Sequence, residues 1–358
     1  MSMIPTARPR DLKRRVLLPG ALLFAFFLVF VLGAPARAQA ETALNCAEAP
    51  SKCGYPDATN TGIVTKLKVK RVIRIKKKKW VIKRKKLRGK KRFRFITRYR
   101  EVDVDLQTIP DDVQSGPGWR WDPRGWVTID TEGAVFRDYI VNGPVDVVAD
   151  NVTIDNVRVY SSGFFGIAIR HADNTTIDRC TVGPAKGERR VEAAIKDVYG
   201  DAKNTTIRRC NIYGWSTGVQ IYQGLIAHNF IHSPGFEPGD HTNGTTSTGS
   251  TQQLDIIHNT VFNPLGQTDA ISLFQDFGLE ANRTISDNLM AGGGYTLYAG
   301  QNSGAPATYN IKVTNNRFSR LYFSRGGYYG PVTAYNPDGV GNVWSGNIWD
   351  DTGASVHH

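Results

Sequence analysis

Ile226-Ala227-His228-Asn229-Phe230-Ile231 is followed 30 residues later by Ile256-Ile257-His258-Asn259-Thr260-Val261, and 29 after that by Ile285-Ser286-Asp287-Asn288-Leu289-Met290. The phrase is an apolar residue, two variable positions, an amide or small residue, one variable position, and a second apolar residue. It recurs as Ile154-Val157-Val159, Ile177-Cys180-Val182, Ile207-Cys210-Ile212, Val313-Asn316-Phe318 and Trp344-Asn347-Trp349, which makes eight copies. Their first residues are 23, 30, 19, 30, 29, 28 and 31 apart, so loop length varies while the phrase does not. A repeat of this period is one turn of a solenoid.

Within each copy β-branched residues flank a short corner, which a strand, a bend and a second strand satisfy and a helix does not. Stacked turns would pair each strand with its copy about 4.8 Å away. Asn229, Asn259, Asn288, Asn316 and Asn347 then form one column, able to bond side-chain amides up and down the stack. Cys180 and Cys210 continue that column as core thiols. On these residues the chain resembles the right-handed parallel β-helix proteins of the pectate-lyase-like superfamily, over roughly its last 250 residues. The fold class expected is all-β, a right-handed parallel β-helix over 102–353, with a tail at 354–358. That superfamily holds lyases, hydrolases, epimerases and non-enzymatic members, so the resemblance does not choose a reaction.

Residues 1–40 read as a signal peptide: Lys13, Arg14 and Arg15 precede an apolar run from Val16 to Leu32, and Ala36-Arg37-Ala38 or Ala38-Gln39-Ala40 offers a cleavage site. Pro19 and Gly20 shorten the run to an export core rather than a permanent span. An uncleaved anchor is the alternative. The localisation expected is secreted or cell-surface. In an oxidising compartment Cys46 and Cys53, in the lead-in 41–63, can close a small disulfide loop, the alternative being free thiols.

The formal charge of +13 is unevenly placed: residues 66–100 hold 20 Lys or Arg and no acid, leaving −7 for the remainder. Apolar residues alternate partly with these charges, so 64–101 reads as an inserted basic β-ribbon of two or three strands with a break at Arg88-Gly89-Lys90. It would adhere to an anionic envelope polymer, or merely dock on its own acidic domain. Nucleic acid is not expected as a partner, because no nucleic-acid fold motif accompanies the charge. Trp119, Trp121 and Trp126 at one end, and Trp344 and Trp349 at the other, read as caps over open solenoid ends rather than as sugar platforms.

After each corner comes a loop and a further short strand, whose outward positions are Ala168, Lys196, Gln220, Thr246, Ser272, Tyr298 and Thr333. In the family resembled, this strand face and its loops form the substrate groove. Polar side chains beside tyrosines suit a polysaccharide. Gly235–Gly244 is the most unusual loop, and superposing Thr242 on Thr268 sets Asn243 on Asp269 and His241 by Gln267, with Trp215 on the other side. Catalytic candidates are His241 as base or acid, Lys196 as carboxylate neutraliser, Tyr222 or Tyr298 as second proton carrier, and Asp269 and Asp276. Substrate-binding candidates are Trp215, Gln220, Asn243, Gln267 and Tyr298. β-Elimination or epimerisation of an acidic polysaccharide needs the first kind of set. Hydrolysis needs two carboxylates, drawn from Asp240, Asp269 and Asp276. A non-catalytic adhesin is the alternative from another class.

Asn243 and Asp269 also suit turn capping with no further role. No metal or cofactor is expected: His228, His258 and Asp287 share a column but do not converge, and calcium-bridging carboxylates on adjacent rungs are not evident.

Overall fold

A corner residue with positive φ sits in every copy of the phrase. Asn156, Arg179, Arg209, His228, His258, Asp287 and Asn315 have φ of 57°, 52°, 56°, 57°, 53°, 54° and 58°, and Gly346 closes the series at 66°. One left-handed residue turns the chain sharply between two strands, and the following amide fixes the bent backbone. In the computed structural model, which describes residues 45–358 apart from 84, 85 and 162 and the side chains of 71 and 75–93, this corner stacks into a column.

Three sheets result. A 9-stranded sheet runs from Val135–Arg137 to Val343–Ser345, a 10-stranded sheet from Gln107–Ile109 to Ile348–Trp349, and an 11-stranded sheet ends at Gly330–Thr333. Each turn gives one strand to each sheet, and successive turns pair in parallel, as Ile154 with Ile177 and Ile177 with Ile207. The architecture is all-β and solenoid-like. Phe136 pairs with Ile154, so Phe136-Tyr139-Val141 is a ninth copy of the phrase, with Asp138 at φ 62° as its corner. It escapes the sequence pattern because tyrosine takes the place of the amide or small residue.

The core is a column of Val, Ile, Leu and Phe with no accessible surface, including Phe136, Ile177, Ile226, Ile285 and Phe318. Beside it runs the amide ladder. Asn259 donates to the Asn288 side-chain oxygen (3.0 Å) and to Ile226 O (2.9 Å), and Asn288 and Asn316 repeat the arrangement one rung on. Above Asn229 the ladder passes to thiols: Cys210 N donates to Asn229 Oδ1 (2.9 Å), and both cysteines are free and buried.

Trp119 is 3% exposed and meets Phe136 and Tyr139 edge-on at 5.2 and 5.1 Å. Its hairpin, Ser115–Gly116 to Trp119–Asp122, closes one end of the 11-stranded sheet antiparallel. At the other end the tail is not a loose extension, since Val356 is 2% exposed and its carbonyl accepts the Trp344 indole N–H at 2.9 Å.

The lead-in forms a strap along the corner column. Cys46 and Cys53 are disulfide-bonded, Ala47 N donates to buried Asp350 at 2.8 Å, and Val64 N donates to Asn156 Oδ1 at 2.6 Å. Between these ends Tyr55 stacks on His258 at 5.1 Å. The ribbon that follows is one hairpin, Lys66–Lys83 against Lys86–Asp103, and Gly89 pairs with Trp80 inside it. The expected break at Arg88-Gly89-Lys90 is therefore absent, because glycine in an edge-exposed two-stranded ladder costs little enough to be carried through. Among its described residues Val72, Phe95 and Tyr99 are 60%, 66% and 66% exposed. The segment 1–40 lies outside the described residues. Among the described residues no helix is long and apolar enough to cross a membrane.

Candidate functional site

Strand register sets the floor of the site. Ala168, Lys196, Gln220, Thr246, Ser272, Tyr298 and Thr333 align in one column of the 11-stranded sheet, outward of the apolar column Ile167, Ile195, Val219, Thr245, Ile271, Leu297 and Val332. The outward column is not uniformly open. Ala168, Thr246 and Ser272 are buried by neighbouring side chains and loops, leaving Lys196, Gln220 and Tyr298 partly accessible.

Over Gln220, Thr246 and Tyr298 lies an open groove of about 560 Å³. His241, Asn243 and Gln267 line it from loops that precede the strands, and Asp276 and Phe274 from the segment that follows one. The two loops on the His241 side are tied together. Asn263 Nδ2 donates to Thr242 O (3.0 Å), Gln267 O (2.9 Å) and Asp269 O (2.8 Å), and Gln267 Nε2 donates to Asp240 O (3.1 Å). Such cross-bracing holds the exposed His241 ring on a rigid wall, with Nδ1 at 3.5 Å from the Thr268 hydroxyl.

Tyr222 stands at the margin. Its hydroxyl accepts from Gln220 Nε2 at 3.0 Å and sits 2.9 Å from Thr248 Oγ1, so it orients two groove residues. Tyr298 packs against Phe274 and Tyr295 at 5.2 and 5.5 Å. Burial, and then the nearby Asp269 carboxyl, raise its phenol above the ordinary range, which leaves it a proton donor rather than a base. Lys196 aligns with Gln220 one rung along, about 4.8 Å, and is outside the groove lining.

Trp215 does not converge on His241. It has no accessible surface, and its indole N–H donates to Ile212 O at 3.3 Å. At the strand's first position the inward face is the one a large aromatic fills, so it is core and not a sugar platform. Asp240 is likewise withdrawn, held by the Arg190 guanidinium (2.8 Å) and by Glu237 N (2.8 Å). His258 places Nδ1 on Asp287 (2.7 Å) and Nε2 on Gly54 O (3.1 Å) under the strap.

Asp269 is the unusual group. It has no accessible surface, and neither carboxyl oxygen has a hydrogen-bond partner. Gly293 lies directly over it, with φ +79° and room for no Cβ, which would fall 2.6 Å from the Asp269 Cα. Burial pushes the carboxyl well above the carboxylate range, opposed by the neighbouring Ser272 hydroxyl and Gly244 amide, neither of which stands in full hydrogen-bonding geometry to it.

The sign of its effect follows. An acid whose folded pKa is raised costs nothing below the unfolded value near 4 and removes stability as pH rises from there through the folded pKa. Asp269→Asn is expected to stabilise the fold by about 1–3 kcal/mol at pH 8 and hardly at all at pH 4. Urea unfolding at the two pH values measures this; equal shifts at both would contradict it.

Thr217, Thr248, Phe274 and Tyr329 complete the lining and were not among the expected residues. Tyr329 arrives through backbone bonds to Gly294 O (2.7 Å) from a loop whose Gly326-Gly327-Tyr328-Tyr329-Gly330 composition was its one available signal. No family model and no curated protein matches this chain.

Proposed function

We propose that the protein is a secreted right-handed parallel β-helix of the pectate-lyase-like kind whose groove takes an extended acidic polysaccharide and acts on it by β-elimination or C5-epimerisation. The observation that carries this reading is that the His241 imidazole, the Tyr298 phenol and the amides of Gln220, Asn243 and Gln267 line one open groove along the stack. Proton abstraction beside a carboxylate requires a base, donors for the enolate-like oxygens, and an acid for the departing oxygen or the opposite face. His241 takes the first role, the amides the second and Tyr298 the third. Lys196, one rung away, neutralises a neighbouring uronate, and Tyr222 holds Gln220 in place.

Hydrolysis is the second reading, favoured by one observation: burial raises the Asp269 carboxyl well above the carboxylate range while Asp276 is open, two carboxyls in contrasting environments. Against it, Asp269 has no accessible surface from which to reach a glycosidic oxygen.

Incubation of the mature protein with polyuronates and neutral glycans separates the readings. An ultraviolet-absorbing unsaturated uronate, falling about 100-fold or more in rate in His241→Ala, is the expected result. New reducing ends without that absorbance, lost in Asp276→Asn, would replace elimination by hydrolysis. Glycan retention with neither signal, and no proton exchange at C5, would leave a non-catalytic adhesin.

A further inference from the structure

The groove leaves the chain's largest charge concentration without a role. Register sorts the ribbon into two unlike faces. Phe95 and Tyr99, both 66% exposed, occupy alternate positions on one of them, opposite Arg74 and Lys70, while Arg94, Arg98 and Arg100 alternate onto the other. At the base the pairs are opposite in sign, Lys66 with Asp103 and Lys68 with Glu101. Further out they are alike: Arg71 with Arg98, Lys77 with Arg92, Lys78 with Lys91, Lys79 with Lys90 and Lys83 with Lys86.

Like charges directly across a ladder destabilise it, and a two-stranded ribbon has little stability to spare. The outer part thus carries an excess of like charge that a polyanion would offset. With 18 residues in each strand it reaches about 60 Å. A flat anionic bilayer can neutralise one face and would leave the other's cations in water, whereas a flexible chain can cross both. The aromatic positions among the lysines of the first face add flat apolar surface, which sugar rings use and inorganic polyanions do not.

We infer that the ribbon is a docking arm for a linear polyuronate, gripping a remote stretch of the same class of chain that the groove takes. The identity of the polymer rests on the function proposed above; the grip itself does not depend on turnover. Capture by the arm turns groove binding into an intramolecular event and raises the local concentration of chain.

The ribbon can be removed cleanly, because Val104 N donates to Thr65 O at 2.9 Å and its two ends are therefore adjacent. The test measures retention of the full mature chain on immobilised polygalacturonate, on dextran and on phosphatidylglycerol vesicles. Polygalacturonate is expected to retain it, weakening at least tenfold between 50 and 200 mM salt, with dextran and vesicles far weaker. Replacing 66–103 by two glycines should abolish retention with the unfolding transition unchanged. Phe95→Ser with Tyr99→Ser should weaken it roughly tenfold while leaving the salt slope in place, as stacking is not a counterion effect. Undiminished retention without the ribbon, or vesicles bound as tightly as polygalacturonate, overturns the inference. His241→Ala keeps the ribbon, so loss of turnover with retention intact reports on the groove alone.

Discussion

Asn288→Ala is expected to cost about 3–5 kcal/mol of stability, far more than its single side chain suggests. Its amide donates to Ile256 O at 2.8 Å and to Asn316 Oδ1 at 3.0 Å, and its oxygen accepts from Asn259 N at 2.9 Å and Asn259 Nδ2 at 3.0 Å. Alanine leaves a carbonyl and a main-chain amide with no partner and no water in reach, each costing about 1–3 kcal/mol. The neighbouring amides also lose a member of the chain that polarises them. Asn288→Asp should do no better, since a carboxylate cannot donate to Ile256 O and would be charged inside the core. Asn347, the last member, bonds Val313 O and Asn316 N as the others do but donates to no further rung, so Asn347→Ala should cost somewhat less. Urea unfolding of the three variants gives the comparison. Equal losses at 288 and 347 would mean that the bonds act singly rather than as a ladder.

That ladder was readable in the sequence because its spacing is carried by asparagine and by β-branched neighbours, both of which have strong local reasons to be there. The corner residue before each asparagine or cysteine was not readable. Arg179 and Arg209, which precede the cysteines of the same column, adopt positive φ although nothing in an arginine favours it, and stacking overrides their local preference. The groove divides in the same way. Alternation along the strands set Gln220 and Tyr298 outward, as period two requires. Contacts between loops have no period, so the withdrawal of Asp240 by Arg190 and the arrival of Tyr329 depended on loop paths that spacing does not encode. The strap was invisible for a related reason: Ala47 meets Asp350 across 303 residues, and no local pattern spans that distance.

Behind the groove, Arg283→Met is expected to lose about 3–5 kcal/mol and to blunt the site as well. Arg283 and Glu280 are both without accessible surface, paired through Nε. The guanidinium also donates to Ser250 O at 2.6 Å and to Gln252 O, while Glu280 Oε1 accepts from Ser247 Oγ at 2.8 Å and Gly249 N at 2.7 Å. Together they hold the turn after Asn243–Ser247, and Thr248, which meets the Tyr222 hydroxyl and lines the groove, is part of that turn. Burial already raises Glu280 above the usual carboxylate range, with Arg283 opposing it. Methionine removes the opposition, so the carboxyl rises further and the deficit should grow as pH increases from about 4 to 8. Glu280→Leu added to Arg283→Met removes the stranded charge and should recover part of the loss, flattening the pH dependence. It cannot recover all of it, because Ser250 O, Gln252 O and Gly249 N stay without partners. The turn would then remain loose in a variant of partly restored stability, and glycan turnover that stays as slow in the double variant as in Arg283→Met would trace Thr248's position to this pair rather than to overall stability.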